Sequence, residues 1–389
     1  MLGSQTPVER RVTTSPLTTA SKTWRAVLGK LDRQQLWEQA QHVLDLWRPY
    51  SRLFLVSDTA AWVIAWELRE LATIAHRIGV RLGNRRWLTY ARNQAVFYGS
   101  HFDLLSGEWP DQPHRLGTAY FHGRPGTPDA SEFDRVFNRL CHVHQRIHRI
   151  QVSHSEMREI VLGSGIAPEK VFLIPIGINL AYFPVQTPES RKRARALFAI
   201  PDTAVVVGSF QKDGVGWGAG EEPKPVKGPD VFVQTVKRLK ERIPSLFVLL
   251  SGPARGYVQA GLAQLGVPYR HVHLERYPEV STLYHALDIY IVASRQEGGP
   301  KAVLESMASG IPLVTTRVGQ AMDLVSHGEN GWIVDVEDDE ELAHWAEYTL
   351  QHQRSTANVT EQGRATAEEH TYQQQLPEWR SFLSGFVEF

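Results

Sequence analysis

The chain has 389 residues, 42% of them hydrophobic, which is more than one hydrophobic core usually organises. We therefore expect two domains of roughly 150 to 200 residues each. Its 42 Lys and Arg residues balance its 42 Asp and Glu residues, so the total charge does not indicate nucleic acid or another polyanion as a partner. The first half has an excess of basic residues and the second half an excess of acidic ones.

The opening segment and the cysteine content bear on location. The residues MLGSQTPVERRV lack the apolar core of a signal peptide, and no stretch approaches the roughly 18 consecutive apolar residues of a membrane-spanning helix. The single cysteine, Cys141, cannot form an internal disulfide, and a buried apolar role is favoured over a nucleophilic one. The sequence therefore predicts a cytoplasmic protein.

The first half predicts a flexible arm followed by a first α/β domain. Residues 1–22, rich in Ser, Thr and Pro, form the predicted arm, and residues 23–186 the domain. LFLVSD predicts a strand, and AWVIAWELRELATIAHRIG predicts a long helix because apolar residues recur at three- and four-residue spacing. Further strands are predicted at QAVFYG, GTAYFHG, RIQVSH and KVFLIPIGINLAYF. The segment VQTPESRKR is interpreted as a hinge.

Residues 187–371 predict a second domain with regular alternation of strands and helices. The predicted strands are AVVVGSF, LFVLLSG, HVHLER, IYIVAS and IPLVTT. Most are continuous apolar runs, which is typical of a parallel sheet with both faces covered by helices. Residues 372–389 are expected to form a helix that crosses back to the first domain. The predicted fold is α/β, with two Rossmann-like doubly wound domains facing each other across a cleft.

The stretch SRQEGGPKAVLESMASGIPLVTT places two carboxylates near one strand end. Glu297 lies in the loop after a strand, where ligands of parallel sheets bind, and Glu305 lies two turns into a helix that Pro300 should begin. Backbone N–H groups at the helix start favour an anion, and they belong to Gly298, Gly299, Lys301 and Ala302. The carboxylates would accept hydrogen bonds from sugar or ribose hydroxyls. The alternative is a solvated loop residue and an ordinary helix former.

The longer run EGGPKAVLESMASGIPLVTTRVGQAMDLVSHGENGWIVD closely resembles the signature of retaining family-four (group 1) glycosyltransferases, which have the two-Rossmann GT-B fold. The resemblance implies that Glu297 contacts the donor sugar near the reacting carbon and that Glu305 holds the ribose hydroxyls. It further implies that the loop QAMDLV after Gly319 lies beside the diphosphate, and it continues through a turn at ENGWIV, Glu329 to Val334. It begins near Gln151, where SHSEMREIVLGSGIAPEKVFLIPIGINLAYF is similar to the end of the family's first domain.

The same resemblance implies the remaining site residues. Lys227, in a Lys-Gly pair before a helix, is similar to the family's phosphate-binding lysine, and His122 in AYFHG to its histidine near the donor sugar; a structural histidine is the alternative. The family's arginine is missing because Ser209 follows Gly208, so Lys212 is the candidate replacement. The expected catalytic residues are Glu297 and His122. The expected donor-binding or nucleotide-binding residues are Glu305, Lys227, Lys212, Gly208, Ser209, Gly298, Gly299, Pro300, Lys301 and Ala302.

The resemblance implies retaining transfer of a sugar from a nucleotide-diphosphate sugar to a hydroxyl of a glycan or lipid-linked acceptor, in bacterial surface polysaccharide or glycolipid assembly. No Asp-x-Asp metal clamp is evident, so we expect neither a metal nor a cofactor, and no nucleic acid partner. The alternative is a non-catalytic nucleotide- or glycan-binding protein on the same scaffold. A glycoside hydrolase is disfavoured because its two carboxylates flank the scissile bond. A nicotinamide-dependent enzyme is disfavoured because no Gly-x-Gly-x-x-Gly follows a strand.

Three further groups have competing interpretations. A basic run beside Trp87 predicts either peripheral contact with an anionic membrane or a solvated face, and consists of Arg77, Arg81, Arg85, Arg86 and Arg92. Trp62 and Trp66 share a helical face, and core packing is favoured over sugar stacking. The histidines between Cys141 and His154 lack zinc-like spacing, which disfavours a metal site.

Overall fold

The computed structural model describes residues 48–57, 62–107, 109, 112–128 and 130–389. The arm predicted for residues 1–22 lies outside the described residues. The described chain forms two parallel β-sheets, one of five strands and one of six, with helices between the strands. This arrangement confirms the predicted α/β fold of two Rossmann-like domains.

The first sheet has the strand order β1-β2-β3-β4-β5, with every pair parallel. Its strands are β1 Leu53–Val56, β2 Ala95–Tyr98, β3 Arg115–Ala119, β4 Ile147–Val152 and β5 Val171–Leu173. Its helices are α1 Trp62–Ile78, α2 His101–Ser106, α3 Ser131–Val143 and α4 Ser155–Leu162. Because the strands are parallel, their carboxyl ends lie at one edge, where His122 follows β3 and Ser153 follows β4.

The second sheet has the order β11-β10-β9-β6-β7-β8. Its strands are β6 Val205–Phe210, β7 Leu246–Ser251, β8 Tyr269–Val272, β9 Ile289–Val292, β10 Leu313–Thr316 and β11 Trp332–Val334. Its helices are α5 Pro188–Leu197, α6 Pro229–Arg242, α7 Gly256–Leu265, α8 Val280–Tyr284, α9 Lys301–Ala308, α10 Ala321–Leu324, α11 Asp339–Gln351 and α12 Gln353–Glu369. The strand order reverses between β6 and β9, and such a switch point opens a crevice at the carboxyl ends of the strands.

Burial explains why the inner strands of the second sheet are largely apolar. All six residues of β7, and all four of β9 and of β10, are buried. One core cluster lies on each side of this sheet, so helices cover both faces. Strand β8 is shifted toward the amino terminus relative to the predicted HVHLER, and β5 is much shorter than the predicted KVFLIPIGINLAYF.

The structure corrects two local predictions. The interpretation of VQTPESRKR as a hinge is wrong, because most of it lies in helix α5. Thr187 caps that helix by accepting the Ser190 N–H at 3.1 Å, Ser190 Oγ accepts the Thr187 N–H, and proline follows the cap. ENGWIV is only partly a turn, since Trp332–Val334 forms the edge strand β11, parallel to β10.

The C-terminal segment packs against the first sheet. Its helix, α13 Leu376–Leu383, places the Phe382 ring 5.6 Å from that of Phe97 in β2 and 5.1 Å from that of Phe172 in β5. Just after the end of α12, the Ile178 N–H donates a hydrogen bond to the His370 carbonyl, and the Tyr372 N–H donates one to the Ile178 carbonyl. The last residues of the chain therefore tie the two domains together.

Candidate active site

The two domains meet in backbone contact at the switch point of the second sheet. The loop after β9 brings Gly298 so close to Phe121, at the end of β3, that an added Cβ would lie 2.5 Å from the Phe121 carbonyl carbon. Ser153 Oγ, after β4, donates a hydrogen bond to the Gly298 carbonyl at 2.8 Å. Gly298 is therefore a point of contact for which only glycine is small enough.

Glu297 is held by two partners in the second domain. Its Oε2 pairs with Lys227 Nζ at 2.6 Å, and its Oε1 accepts a hydrogen bond from Ser294 Oγ at 2.8 Å. Lys227 ends a short 3-10 turn, and Gly228 then takes a left-handed conformation with φ of 59°. An added Cβ at Gly228 would lie 2.9 Å from the Ala293 carbonyl carbon, so the Lys-Gly pair can approach the end of β9 only with glycine. The backbone thus fixes Lys227 beside Glu297.

His122 reaches the same place from the first domain. Its side chain is exposed to the cleft, and its ring lies 5.5 Å from that of His101 and 5.9 Å from that of Phe133. Desolvation by the surrounding protein and then the positive charge of Lys227 lower its pKa to about 4, against the opposing effect of Glu297. The imidazole is therefore neutral near pH 7 and can donate or accept a hydrogen bond.

Two further lysines lie near Lys227. Lys212 follows β6, donates a hydrogen bond to the Gly214 carbonyl at 3.3 Å and lies 4.9 Å from the Trp217 ring. Lys224, absent from the sequence-based site, is half-buried, and burial followed by the charges of Lys227 and Lys212 lowers its pKa. The sequence feature that could have indicated Lys224 is the run Lys-Pro-Val-Lys, because Lys224 caps the 3-10 turn that ends at Lys227.

Gly208 and Ser209 lie inside strand β6 rather than in the cleft. An added Cβ at Gly208 would meet Leu287 Cδ2 at 2.9 Å and Tyr290 at 3.0 Å, so this glycine serves close packing of the core. Ser209 is buried and its Oγ accepts a hydrogen bond from Arg255 at 3.1 Å. The structure does not bring either residue together with the three lysines.

Glu305 forms a separate, buried cluster with two tyrosines. It is 5% exposed, and its two oxygens accept hydrogen bonds from the hydroxyls of Tyr277 and Tyr284. Burial raises the pKa of Glu305, while Lys301 and the two tyrosines lower it. The two tyrosine hydroxyls thus donate to the carboxylate that the family resemblance predicts will bind ribose.

The helix that carries Glu305 also links the domains. Helix α9 begins at Lys301, one residue later than predicted, because Pro300 is its cap in an extended conformation. Lys301 pairs with Glu67 of α1 and donates to the Tyr372 hydroxyl at 3.0 Å. Gly299 packs against Ile176, so an added Cβ would lie 2.6 Å from its Cδ1. Ala302 is half-buried against the core.

The loop QAMDLV contacts the first domain. Asp323 in α10 accepts hydrogen bonds from the backbone N–H of Ser155 at 2.7 Å and from its hydroxyl at 2.6 Å. It thereby caps α4 across the cleft, since that helix has no side-chain cap of its own. Thr127 makes a second bridge by donating to Gln296 Oε1 at 3.0 Å. Polar contacts from the first domain thus reach both chain neighbours of Glu297, Gln296 and Gly298.

Three remaining predictions concern the two tryptophans of α1, a metal site and a membrane-spanning helix. Trp66 packs against Tyr182 and Tyr277, with ring centroids 5.3 Å and 5.0 Å away, which is the favoured core role; the side chain of Trp62 lies outside the described residues. Within the described part of the chain, no three His, Cys, Asp or Glu side chains cluster as metal ligands would. None of the helices in the described residues is both long and apolar enough to cross a membrane.

Residues 222–366 match the family model described as glycosyl transferases group 1. The chain is 29% identical over 205 residues to a D-inositol 3-phosphate glycosyltransferase of Corynebacterium efficiens, covering 50% of this chain and 45% of that protein. It is 30% identical over 200 residues to the enzyme of the same name from Acidothermus cellulolyticus, covering 47% and 41%. The chain thus spans about half the length of the curated relatives it matches.

Solved structures match over more of the chain. Anabaena Alr3699/HepE in complex with UDP-glucose superposes with a TM-score of 0.67 at 15% identity, over 86% of this chain and 99% of that one. Sucrose-phosphate synthase from Thermosynechococcus elongatus superposes with a TM-score of 0.59 at 18% identity, over 75% and 74%. At such identities these likenesses establish the fold alone. The chain therefore has the two-domain GT-B fold, and its residues 222–366 are similar to the group 1 glycosyl transferases.

Proposed function

We propose that the protein is a retaining glycosyltransferase that moves a sugar from a nucleotide-diphosphate sugar to an acceptor hydroxyl. The observation that carries this proposal is the pairing of Glu297 with Lys227 at the switch point of the second sheet, where His122 of the first domain faces them. A carboxylate and a neutral imidazole can bind sugar hydroxyls, and lysine can bind phosphate. Glu297, His122 and Lys227 together therefore offer hydrogen-bonding groups for the sugar and a positive charge for the diphosphate.

The lysines supply the positive charge that can stabilise the leaving diphosphate. A nucleoside diphosphate leaves with negative charge, and cations already in place stabilise that charge without reorganisation. Burial and then the positive charge of nearby Lys227 lower the pKa of Lys212, so the two lysines lie close together. We therefore propose that transfer needs no divalent metal, and we expect equal rates in Mg²⁺ and in excess EDTA.

The proposed reaction keeps the configuration of the donor sugar. The acceptor oxygen forms its bond to the anomeric carbon on the face from which the diphosphate departs, while the bond from that carbon to the phosphate oxygen breaks. The hydroxyl proton passes to the departing phosphate oxygen. In this scheme Glu297, which forms an ion pair with Lys227, positions the sugar and does not act as a general base.

The test is product formation from UDP-, GDP- and ADP-sugars by the wild-type protein, Glu297→Gln and Lys227→Ala. The proposal expects release of one nucleoside diphosphate, a loss of about 100-fold or more in each variant, and a product whose anomeric coupling constant in NMR equals that of the donor. Inversion of the anomeric centre contradicts the retaining mechanism. Wild-type rates in both variants contradict the site.

For the acceptor we propose a glycan or lipid-linked hydroxyl in bacterial surface polysaccharide or glycolipid assembly. The relatives named D-inositol 3-phosphate glycosyltransferase make a phosphorylated cyclitol the necessary comparison. Inositol 3-phosphate and a lipid-linked oligosaccharide should therefore be offered in parallel with the same donor. Transfer to inositol 3-phosphate alone contradicts the glycan or lipid-linked assignment.

We also propose a cytoplasmic location with peripheral contact at an anionic membrane. The short 3-10 helix Arg85–Tyr90 carries exposed Arg85 and Arg86, and Tyr90 is 68% exposed with its ring 6.1 Å from that of Trp87. Arginines beside aromatic rings suit a lipid headgroup layer. We expect co-sedimentation with phosphatidylglycerol vesicles at low salt that weakens in Arg86→Gln. Equal binding to neutral vesicles contradicts the proposal.

A non-catalytic nucleotide- or glycan-binding protein is the second candidate. The observation that favours it is the Glu305 cluster, whose carboxylate already accepts hydrogen bonds from Tyr277 and Tyr284. Such a protein would bind a nucleotide sugar without cleaving it. Prolonged incubation with each donor, with and without acceptor, separates the two because only the enzyme releases nucleoside diphosphate.

A further inference from the structure

The glycine-rich insertion between β6 and α6 is a short hairpin. The backbone N–H of Val215 donates to the Glu222 carbonyl at 2.9 Å, and that of Lys224 donates to the Asp213 carbonyl at 2.8 Å. Gly214 and Pro223 form an antiparallel bridge between these two bonds. The insertion therefore leaves the end of β6 and returns to it at Lys224.

The base of this hairpin is anchored to the loop after β7. An added Cβ at Gly214 or at Gly220 would come within 2.5 Å of the Ala254 backbone. The next residue, Arg255, is fully buried and pairs with the equally buried Asp213 at 3.0 Å. Burial of that pair is costly unless the geometry is kept, so the hairpin base is held in one position.

The fold places Lys224 in the cleft beside Lys227. Among the described residues the Lys224 ammonium makes no hydrogen bond or ion pair, although the side chain is half-buried. Lys227 forms an ion pair with Glu297, and Lys212 adds further positive charge near Lys224. Two carboxylates act on Lys224, Glu297, which is ion-paired with Lys227, and Glu132. The three lysines still outnumber them, and such an excess of half-buried positive charge suits a ligand with more than one negative charge.

We propose that Lys224 is a second phosphate-binding cation of the donor site, presented by the hairpin and selective for a diphosphate over a monophosphate. This inference rests on the proposed function, since it assigns a ligand to the same cleft. Ser209 of β6 accepts a hydrogen bond from Arg255 and lies away from the lysines, so the hairpin adds Lys224 to the positive charge of Lys212 and Lys227. Lys227 and Lys224 hold the two phosphates from one 3-10 turn, with Pro225 and Val226 as a rigid spacer.

The experiment measures binding by calorimetry in wild type, Lys224→Ala, Lys224→Arg and the control Lys237→Ala, which removes an exposed lysine of α6. The probes are the diphosphate and monophosphate of whichever nucleoside, uridine, guanosine or adenosine, binds the wild type. We expect Lys224→Ala to weaken diphosphate binding about 10-fold or more. Monophosphate binding should change less than 3-fold, and Lys224→Arg should restore most of the loss.

The outcomes separate this inference from the proposed function. If the wild type binds a nucleoside diphosphate and Lys224→Ala binds it equally well, the role of Lys224 is refuted while the donor site stands. If diphosphate and monophosphate binding fall by the same factor, Lys224 does not read the second phosphate. If the wild type binds none of the three diphosphates, the proposed function fails and this inference falls with it. Thermal unfolding of each variant controls for folding.

Discussion

Replacing Gly298 with alanine tests whether the closed contact between the domains is needed for activity. The new Cβ would lie 2.5 Å from the Phe121 carbonyl carbon and 2.7 Å from its Cβ, whereas ordinary contacts begin near 3.4 Å. Both obstacles belong to one residue of the opposite domain and one is backbone, so a rotamer change cannot relieve the clash. The domains must separate there by about 1 Å.

Such a displacement affects chemistry more than stability. It stretches the hydrogen bond from Ser153 to the Gly298 carbonyl and the bridge from Thr127 to Gln296, each worth about 1 kcal/mol. Each domain keeps its own core, so the melting temperature should fall by only a few degrees. A misplacement of about 1 Å between His122 and Glu297 lowers turnover about 100-fold.

The assay combines steady-state turnover with a nucleotide sugar and small-angle scattering of the free protein. The matched control is Gly218→Ala, because an added Cβ there meets nothing within 4 Å and Gly218 has no left-handed φ. We expect a larger radius of gyration and about 100-fold lower turnover for Gly298→Ala only. Wild-type turnover in Gly298→Ala would refute the reasoning, because the reaction would then tolerate an open contact.

Three further predictions concern the acidic and histidine groups. Glu305→Gln should weaken nucleotide binding about 10-fold or more, whereas Glu297→Gln should slow transfer with binding nearly kept, as titration and turnover will show; equal, negligible effects would remove the proposed site. Tyr277→Phe deletes a donor to Glu305 and should tighten nucleotide binding if ribose competes for that carboxylate; weaker binding would show that the tyrosine assists. His154 is fully buried with its pKa lowered to about 4 by burial, so the unfolded chain binds the extra proton between about pH 6.5 and pH 4 and stability is lost as pH falls through that window. The melting temperature should therefore drop less steeply with pH in His154→Gln, and unchanged steepness would contradict this origin.

The sequence predicts the second domain well because strands buried on both faces, such as β7 and β9, consist of nearly continuous apolar runs. It misses β11 because three residues after a glycine turn are too few to show a period. It mistakes α5 for a hinge because half of that helix is charged, and its buried Arg195 is ion-paired with Asp288. Hydrophobic periodicity therefore does not reveal a helix that is anchored to the core by a buried ion pair instead of apolar side chains.

The candidate site shows the same limit. Glu297, Lys227 and His122 were expected at one site through family resemblance, and the fold brings them together from three loops of two domains. Lys224 was missed because the hairpin that returns it to the cleft depends on packing against Ala254, far along the chain. Ser209 was expected at the donor site because it stands where the family has its arginine, yet it is buried and accepts a hydrogen bond from Arg255.

The most direct test of the central claim is a thermal-shift panel of uridine, guanosine and adenosine diphosphates and their sugars on the wild type and Lys227→Ala. A ligand at about 100 times its dissociation constant stabilises the folded state by about 2.7 kcal/mol. The account predicts a shift with one nucleoside and its sugars that disappears in Lys227→Ala. A shift that survives unchanged in Lys227→Ala, or no shift with any of these ligands, would contradict a nucleotide-sugar site beside Glu297.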